Sequence, residues 1–179
     1  MFNNISDQVN DVPTKKVYVG TGDTAIQNTL ILMREIINSS YQNYYVRRFA
    51  EKIVQDATTL LEKVQAVFDF LAFHTKYVKD PHGLEMLKSP LVSLQLIEVG
   101  EQPMLDCDDS TILSLSLLRS IGFPVSIKAI GVDDTKRFKH VYGMVLVKDK
   151  WIPFDGTMPK HGLGWEYNMA TRDIRLEVK

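Results

Sequence analysis

The one cysteine of this 179-residue chain, Cys107, stands in the stretch LDCDDSTILSLSLLRSIGFP, with Asp106, Asp108 and Asp109 beside it and a leucine-rich run behind it. The thiolate is the reactive form of cysteine and needs a base or a positive charge nearby, so the histidines decide what this thiol can do. Of the four, His74 ends a helical stretch, and His82 and His161 lie in glycine-containing loops. His140 lies in KHVYGMVLV, where a period of two sets it with Tyr142, Met144 and Leu146 on one strand face and Val141, Val145 and Val147 on the other. If the histidine face meets the cysteine helix, imidazole and thiol can touch. The following segment, KWIPFDGT, ends at Asp155, placed to accept the other imidazole N–H and fix its tautomer. Cys107, His140 and Asp155 are therefore one candidate catalytic site. Each has a plainer reading: a buried small hydrophobe, a structural strand histidine, and an Asp-Gly turn. Their order along helix start, strand and strand end favours the chemical one.

The three aspartates invite a metal reading, but their spacing argues against it. Adjacent first-turn positions point in different directions, there is no alternating oxygen-ligand loop with a closing glutamate, and zinc would want more Cys or His. No metal and no cofactor are expected. Asp106 reads as a helix N-cap, with Asp108 and Asp109 favoured by the positive end of the helix dipole. These charges also oppose a thiolate. Lowering the thiol pKa from about 8.5 to roughly 6 takes about 3.4 kcal/mol, and a helix terminus supplies at most about 2 kcal/mol. A thiolate paired with the His140 imidazolium, supported by Asp155, is the expectation.

The elements that must position these groups follow from periodicity. DTAIQNTLILMREIINSS has Asp23 or Thr24 as a cap and apolar residues at Ile26, Leu30, Met33 and Ile37, a helix with one buried face. YVRRFAEKIV continues with Val46, Phe49, Ala50 and Ile53, and a third helix opens with Thr59 and Glu62 at capping-box spacing. DPHGLEMLKSP reads as an irregular crossing before a short helix from Leu91 to Ile97. The cysteine helix is apolar round much of its circumference, hence central, and Gly122 and Pro124 stop it. VSIKAIGV, KHVYGMVLV and WIPF then read as strands. Helices first and strands later imply an α+β fold, with an antiparallel sheet packed on the cysteine helix. Residues 1–14 read as a polar N-terminal arm and residues 15–179 as one domain.

Composition narrows the function classes. A formal charge of −1, with only short basic clusters such as Arg47-Arg48 and Lys136-Arg137, carries no nucleic-acid footprint. A single cysteine rules out an internal disulfide, and no apolar span of about 20 residues suggests a membrane helix. The expectation is a cytoplasmic protein whose partner is a protein, a peptide or a small molecule; the oligomeric state is left open.

The stretches DCDDSTILSLSLLRSIGFPV, KHVYGMV and WIPFDGT together resemble the transglutaminase-like cysteine-enzyme superfamily, a papain-related α+β fold, in its small bacterial and phage versions. The helical preamble of residues 17–90 resembles the same small proteins, so the likeness covers most of residues 17–157. The resemblance implies a triad of Cys107, His140 and Asp155 and a thiol acyl-transfer reaction at amide bonds, as peptidase, amidase or cross-linking transglutaminase. Water is always available as acceptor, which favours hydrolysis. A phage origin would make virion association possible and virion proteins, host proteins or cell-wall peptides the substrates. The rival class is a non-catalytic structural or binding module that keeps the fold, such as a phage assembly or host-interaction protein. One departure is Leu105, where the family commonly carries glycine two residues before the cysteine; its bulk would narrow the approach to the thiol, with Gly100 as an alternative source of the turn. For the oxyanion, the Cys107 backbone N–H and the Gln102 side chain are the nearest donors.

Overall fold

The computed structural model describes residues 17–80, 86–133 and 137–179. The polar arm over 1–14 and the loop around His82 lie outside the described residues. Three helices open the described chain: α1 (Gly22–Ser40), α2 (Tyr44–Ile53) and α3 (Leu60–His74). The capping box of α3 forms as its spacing implies, with Thr59 Oγ1 accepting from the Glu62 N–H and Glu62 Oε2 accepting from the Thr59 N–H. Asn43 caps α2, whereas α1 starts at Gly22 after Thr21, two residues before the expected caps take effect.

A two-residue strand β1 (Lys76–Tyr77) follows α3, then α4 (Pro90–Glu98), with Pro90 at its first turn, and a second short strand β2 (Met104–Leu105). β1 and β2 pair in parallel, Lys76 opposite Met104 and Tyr77 opposite Leu105. The cysteine helix α5 runs Cys107–Ser120 and leads into β3 (Val125–Gly131), β4 (His140–Val147) and β5 (Lys150–Phe154). A further strand, β6 (Arg172–Val178), not expected from the sequence, completes an antiparallel sheet of order β5-β4-β3-β6.

Every residue of α5 from Asp108 to Leu118 is buried. The sheet covers one side of the helix and α1, α2, α3 and α4 surround the rest, which is why its leucines need no single stripe. A second, smaller cluster of Ile130, Tyr142 and Met144 lies apart from this core, covered in part by Val132, Trp151 and Tyr167. The antiparallel register thus gives the sheet two unlike faces, one dry and aliphatic, the other aromatic and polar.

Candidate active site

Cys107 is the first residue of α5. Asp106, extended just before it, caps the helix: its Oδ1 accepts from the N–H groups of Asp108 and Asp109, both at 3.0 Å. The cap leaves the N–H of Cys107 itself outside, at the positive end of the helix. Asp109 has a different task from the expected dipole partner. Its buried carboxylate accepts from the Lys88 N–H at 2.7 Å and pairs with the Lys88 ammonium, tying the segment before α4 to the first turn of α5.

The face of β4 that meets α5 is not the one expected. Val141, Val145 and Val147 belong to the core shared with α5, while Tyr142 and Met144 line the other side. The reason is closeness of approach: a methyl group on Gly143 would lie 2.6 Å from Leu115 Cδ2, so only the valine-and-glycine row admits the leucine-rich helix. Tyr142 instead turns its hydroxyl to Glu166, at 2.6 Å. His140 rides on the Tyr142 face, its ring 5.9 Å from that of Tyr142 and near-parallel to it.

The imidazole and the aspartate nevertheless come together. Gly143 pairs with Phe154, so continuing the register one step sets Asp155 opposite Tyr142 and diagonal to His140 on the same face. His140 Nε2 and Asp155 Oδ2 are 2.6 Å apart, both side chains well shielded from solvent. The other carboxylate oxygen accepts from Thr157, from its N–H at 3.0 Å and its hydroxyl at 2.6 Å. That Asx turn holds Asp155 in place, and Gly156 allows it: a methyl group there would lie 2.6 Å from Ser110 Oγ of α5.

The thiol reaches this pair at the strand's end, through the backbone. The N–H of Val141, the residue after His140, faces the thiol closely enough to favour its charged form, and Thr111 Oγ1 donates to the Val141 carbonyl at 3.4 Å. The first turn of α5 is thereby fastened to the peptide that carries the histidine. The thiol also donates to Asp108 Oδ1 at 3.5 Å.

This environment reverses the expectation of a resting thiolate. Burial pushes the Cys107 thiol up, and the charges of Asp108 and Asp106 push it further; the Val141 N–H opposes them and does not win. Asp106 and Asp109 are themselves raised, in both cases by burial first. Burial and the neighbouring acids both favour a neutral thiol at rest.

Three further residues were not anticipated. Thr157 follows Asp155 at Asx-turn spacing, a signal present in DGT. Lys88 and Tyr77 had none, because both arrive through non-local pairing. The Tyr77 hydroxyl is raised by burial and then by Cys107, Asp106, Asp155 and Asp108, and its strand partner Leu105 stands two residues before the thiol. Gln102 spends its amide on the Phe73 carbonyl, at 2.9 Å, so it is not aimed at an oxyanion. Leu105 is buried in the core. Gly100 closes α4, donating to the Ile97 carbonyl.

A wider comparison bears on the fold that carries these residues. The family model for the transglutaminase-like superfamily matches residues 47–156, more than half of the chain. The chain belongs to the transglutaminase-like superfamily. Among solved structures it is similar to a candidate cysteine protease from Cytophaga hutchinsonii, at 17% identity and a TM-score of 0.52, over 84% of this chain and 56% of that one. It is also similar to a candidate protease from Parabacteroides distasonis, at 15% identity and a TM-score of 0.55, over 72% of this chain and 26% of that one. These likenesses are of fold, and this superfamily member spans about half and about a quarter of the two neighbours. No curated protein matches it. Among the described residues, no helix is long and apolar enough to cross a membrane.

Proposed function

We propose that this protein is a thiol-dependent acyl-transfer enzyme acting on amide bonds, with Cys107 as nucleophile, His140 as proton carrier and Asp155 as the group that orients it. The observation that carries this reading is the 2.6 Å contact between His140 Nε2 and Asp155 Oδ2, on the strand residue next to Val141, whose N–H faces the thiol. With Nε2 engaged, Nδ1 is the nitrogen left to exchange a proton with the thiol.

Because the thiol is neutral at rest, His140 acts as a general base during attack rather than as half of a standing ion pair. As Sγ bonds to the carbonyl carbon, Nδ1 takes the thiol proton and the carbonyl π pair moves onto oxygen, toward the N–H of Cys107. The imidazolium, stabilised by Asp155, then protonates the leaving amine as the C–N bond breaks, leaving a thioester. Water, deprotonated by the same nitrogen, attacks the thioester; the carboxylic product departs and the thiol recovers its proton. Hydrolysis needs no second amine-binding site, so peptidase or amidase is favoured over cross-linking, with peptides or proteins as substrates.

The test is incubation of native protein with a mixed peptide pool, with dansylcadaverine added in parallel, and mass spectrometry of the products. New carboxyl termini that disappear with Cys107→Ser are expected. Dansylcadaverine adducts in place of hydrolysis would turn the assignment to cross-linking. Turnover equal in the wild type and Cys107→Ser, or absent in both, would overturn the enzyme reading and leave the binding module.

A further inference from the structure

The β1–β2 ribbon exposes large apolar side chains next to the proposed nucleophile. Tyr77 is 55% exposed and Met104 60%, and Val78, just past β1, is also exposed. Yet the ribbon is fixed to the site: Tyr77 stands directly opposite Leu105, two residues before Cys107. The N–H groups of Lys76 and Val78 donate to the carbonyls of Pro103 and Leu105, each at 3.0 Å. In a parallel ladder only alternate residues bond a given neighbour, so the N–H and C=O of Tyr77 turn to the opposite edge.

A two-stranded ribbon with an outward backbone edge and apolar side chains on its two sides is suited to receive one more strand. The field around it selects which. Lys76 and Lys79 lie on the ribbon's own strand and beside it, whereas the acids gather at the thiol end: Asp106 and Asp108 flank the thiol, Asp155 acts on Tyr77 with them, and Asp80 follows in the chain. At that end an acidic side chain next to the reacting carbonyl would be repelled; a neutral or basic one would not.

We propose that the β1–β2 ribbon is the substrate-recognition edge of the site, taking an extended, apolar-to-basic peptide segment by strand addition, with Tyr77 against the side chain next to the reacting carbonyl and Val78 and Met104 on the alternate side. This rests on the acyl-transfer reading and names the acyl donor it selects.

The experiment measures nitrophenolate release, corrected for Cys107→Ser, from p-nitrophenyl acetate and from the p-nitrophenyl esters of blocked Phe-Gly, Lys-Gly and Glu-Gly. Expected are acylation by the Phe and Lys esters at least about 10-fold faster than by the Glu ester, loss of most of the Phe preference in Tyr77→Ala, and its retention in Met104→Ser, whose side chain lies on the alternate side. Methylating both peptide nitrogens should remove the preference as well, since strand addition needs backbone donors. The readout is the ratio of two esters on one protein, so a general change in reactivity cancels. Acetate turnover with no preference among the peptide esters, or a preference that survives Tyr77→Ala, overturns the recognition edge alone. No Cys107-dependent release from any ester overturns the acyl-transfer reading and this one with it. If gel filtration shows the wild type as a dimer that both substitutions dissociate, with ester ratios unchanged, the ribbon is a contact between copies and the proposal falls.

Discussion

The two ends of α5 share one helix and almost nothing else. From Ile112 to Leu118 its side chains are leucine, isoleucine and serine closed in on all sides, and what matters is volume. From Asp106 to Thr111 nearly every side chain has a named polar partner: the cap amides, Lys88, the Val141 carbonyl, or the thiol. Burial is similar at both ends, but it stabilises the first by removing apolar surface from water and works against charge in the second. The apolar end fixes where the helix lies; the polar end determines what its first residue can do.

The widest separation between the two ends should come from substitutions at the proposed triad. Cys107→Ser and His140→Ala are expected to lower acyl transfer by about 10³-fold or more, and Asp155→Asn by a smaller factor. Thermal unfolding of Cys107→Ser should stay close to the wild type, because the change removes no core volume. A comparable loss of stability would make the cysteine a packing residue and erase the distinction. At the other end, Leu115→Ala and Leu118→Ala are expected to cost about 2 to 5 kcal/mol by chemical denaturation, with turnover per folded molecule retained.

Most of the apolar end was legible in the sequence. The leucine run, its Gly-Pro stop and the capping box of α3 are local patterns, and local patterns decide where a helix starts and which residues it buries. The Asp106 cap and the meeting of His140 with Asp155 were legible too, the second through strand order. What failed depended on contacts between distant elements. Alternation alone does not say which row of β4 meets the helix; Gly143, on the row opposite His140 and Tyr142, is the stronger signal of close approach. β6 was missed because Ile174, Leu176 and Val178 alternate with charged residues near the end of the chain, a short pattern that only pairing with β3 makes into a strand. The resting thiolate was inferred from the histidine's expected proximity; burial and Asp108, neither readable from spacing, reverse it.

Two glycines probe the seam between the ends. Gly143→Ala drives a methyl group into Leu115 and is expected to cost about 1 to 3 kcal/mol by overpacking, with the ester ratios unchanged. Gly156→Ala meets Ser110 Oγ and Leu71 instead, beside Asp155, so a similar cost should come with a loss of turnover as the carboxylate is displaced from His140. Equal catalytic effects in the two variants would mean that the seam transmits strain indifferently.

The smallest effect concerns the proton on Cys107, and its sign can be worked out. The folded-state thiol pKa is raised, so the folded protein holds this proton more tightly than the unfolded chain does. The associated stability is fully present below the unfolded value of about 8.5 and is lost as pH rises beyond it toward the folded value. The melting temperature of the wild type should therefore fall more steeply above about pH 8.5 than that of Cys107→Ser, which has no thiol to ionise. Alkylation by iodoacetamide should likewise run at higher pH in the native protein than in the unfolded chain. Asp108→Asn removes the largest charge acting on the thiol and the acceptor of its proton, so its alkylation curve should move toward lower pH. Burial is the first cause of the shift, so that curve should still lie above that of the unfolded chain. His140→Ala separates the two descriptions of the site. A general base acting only during attack leaves the alkylation midpoint nearly unmoved while acyl transfer collapses; a standing ion pair would show a native midpoint below about 8.5 that rises when the histidine is removed. The second result would restore the resting thiolate and make the polar end of α5 a site that overcomes its own burial.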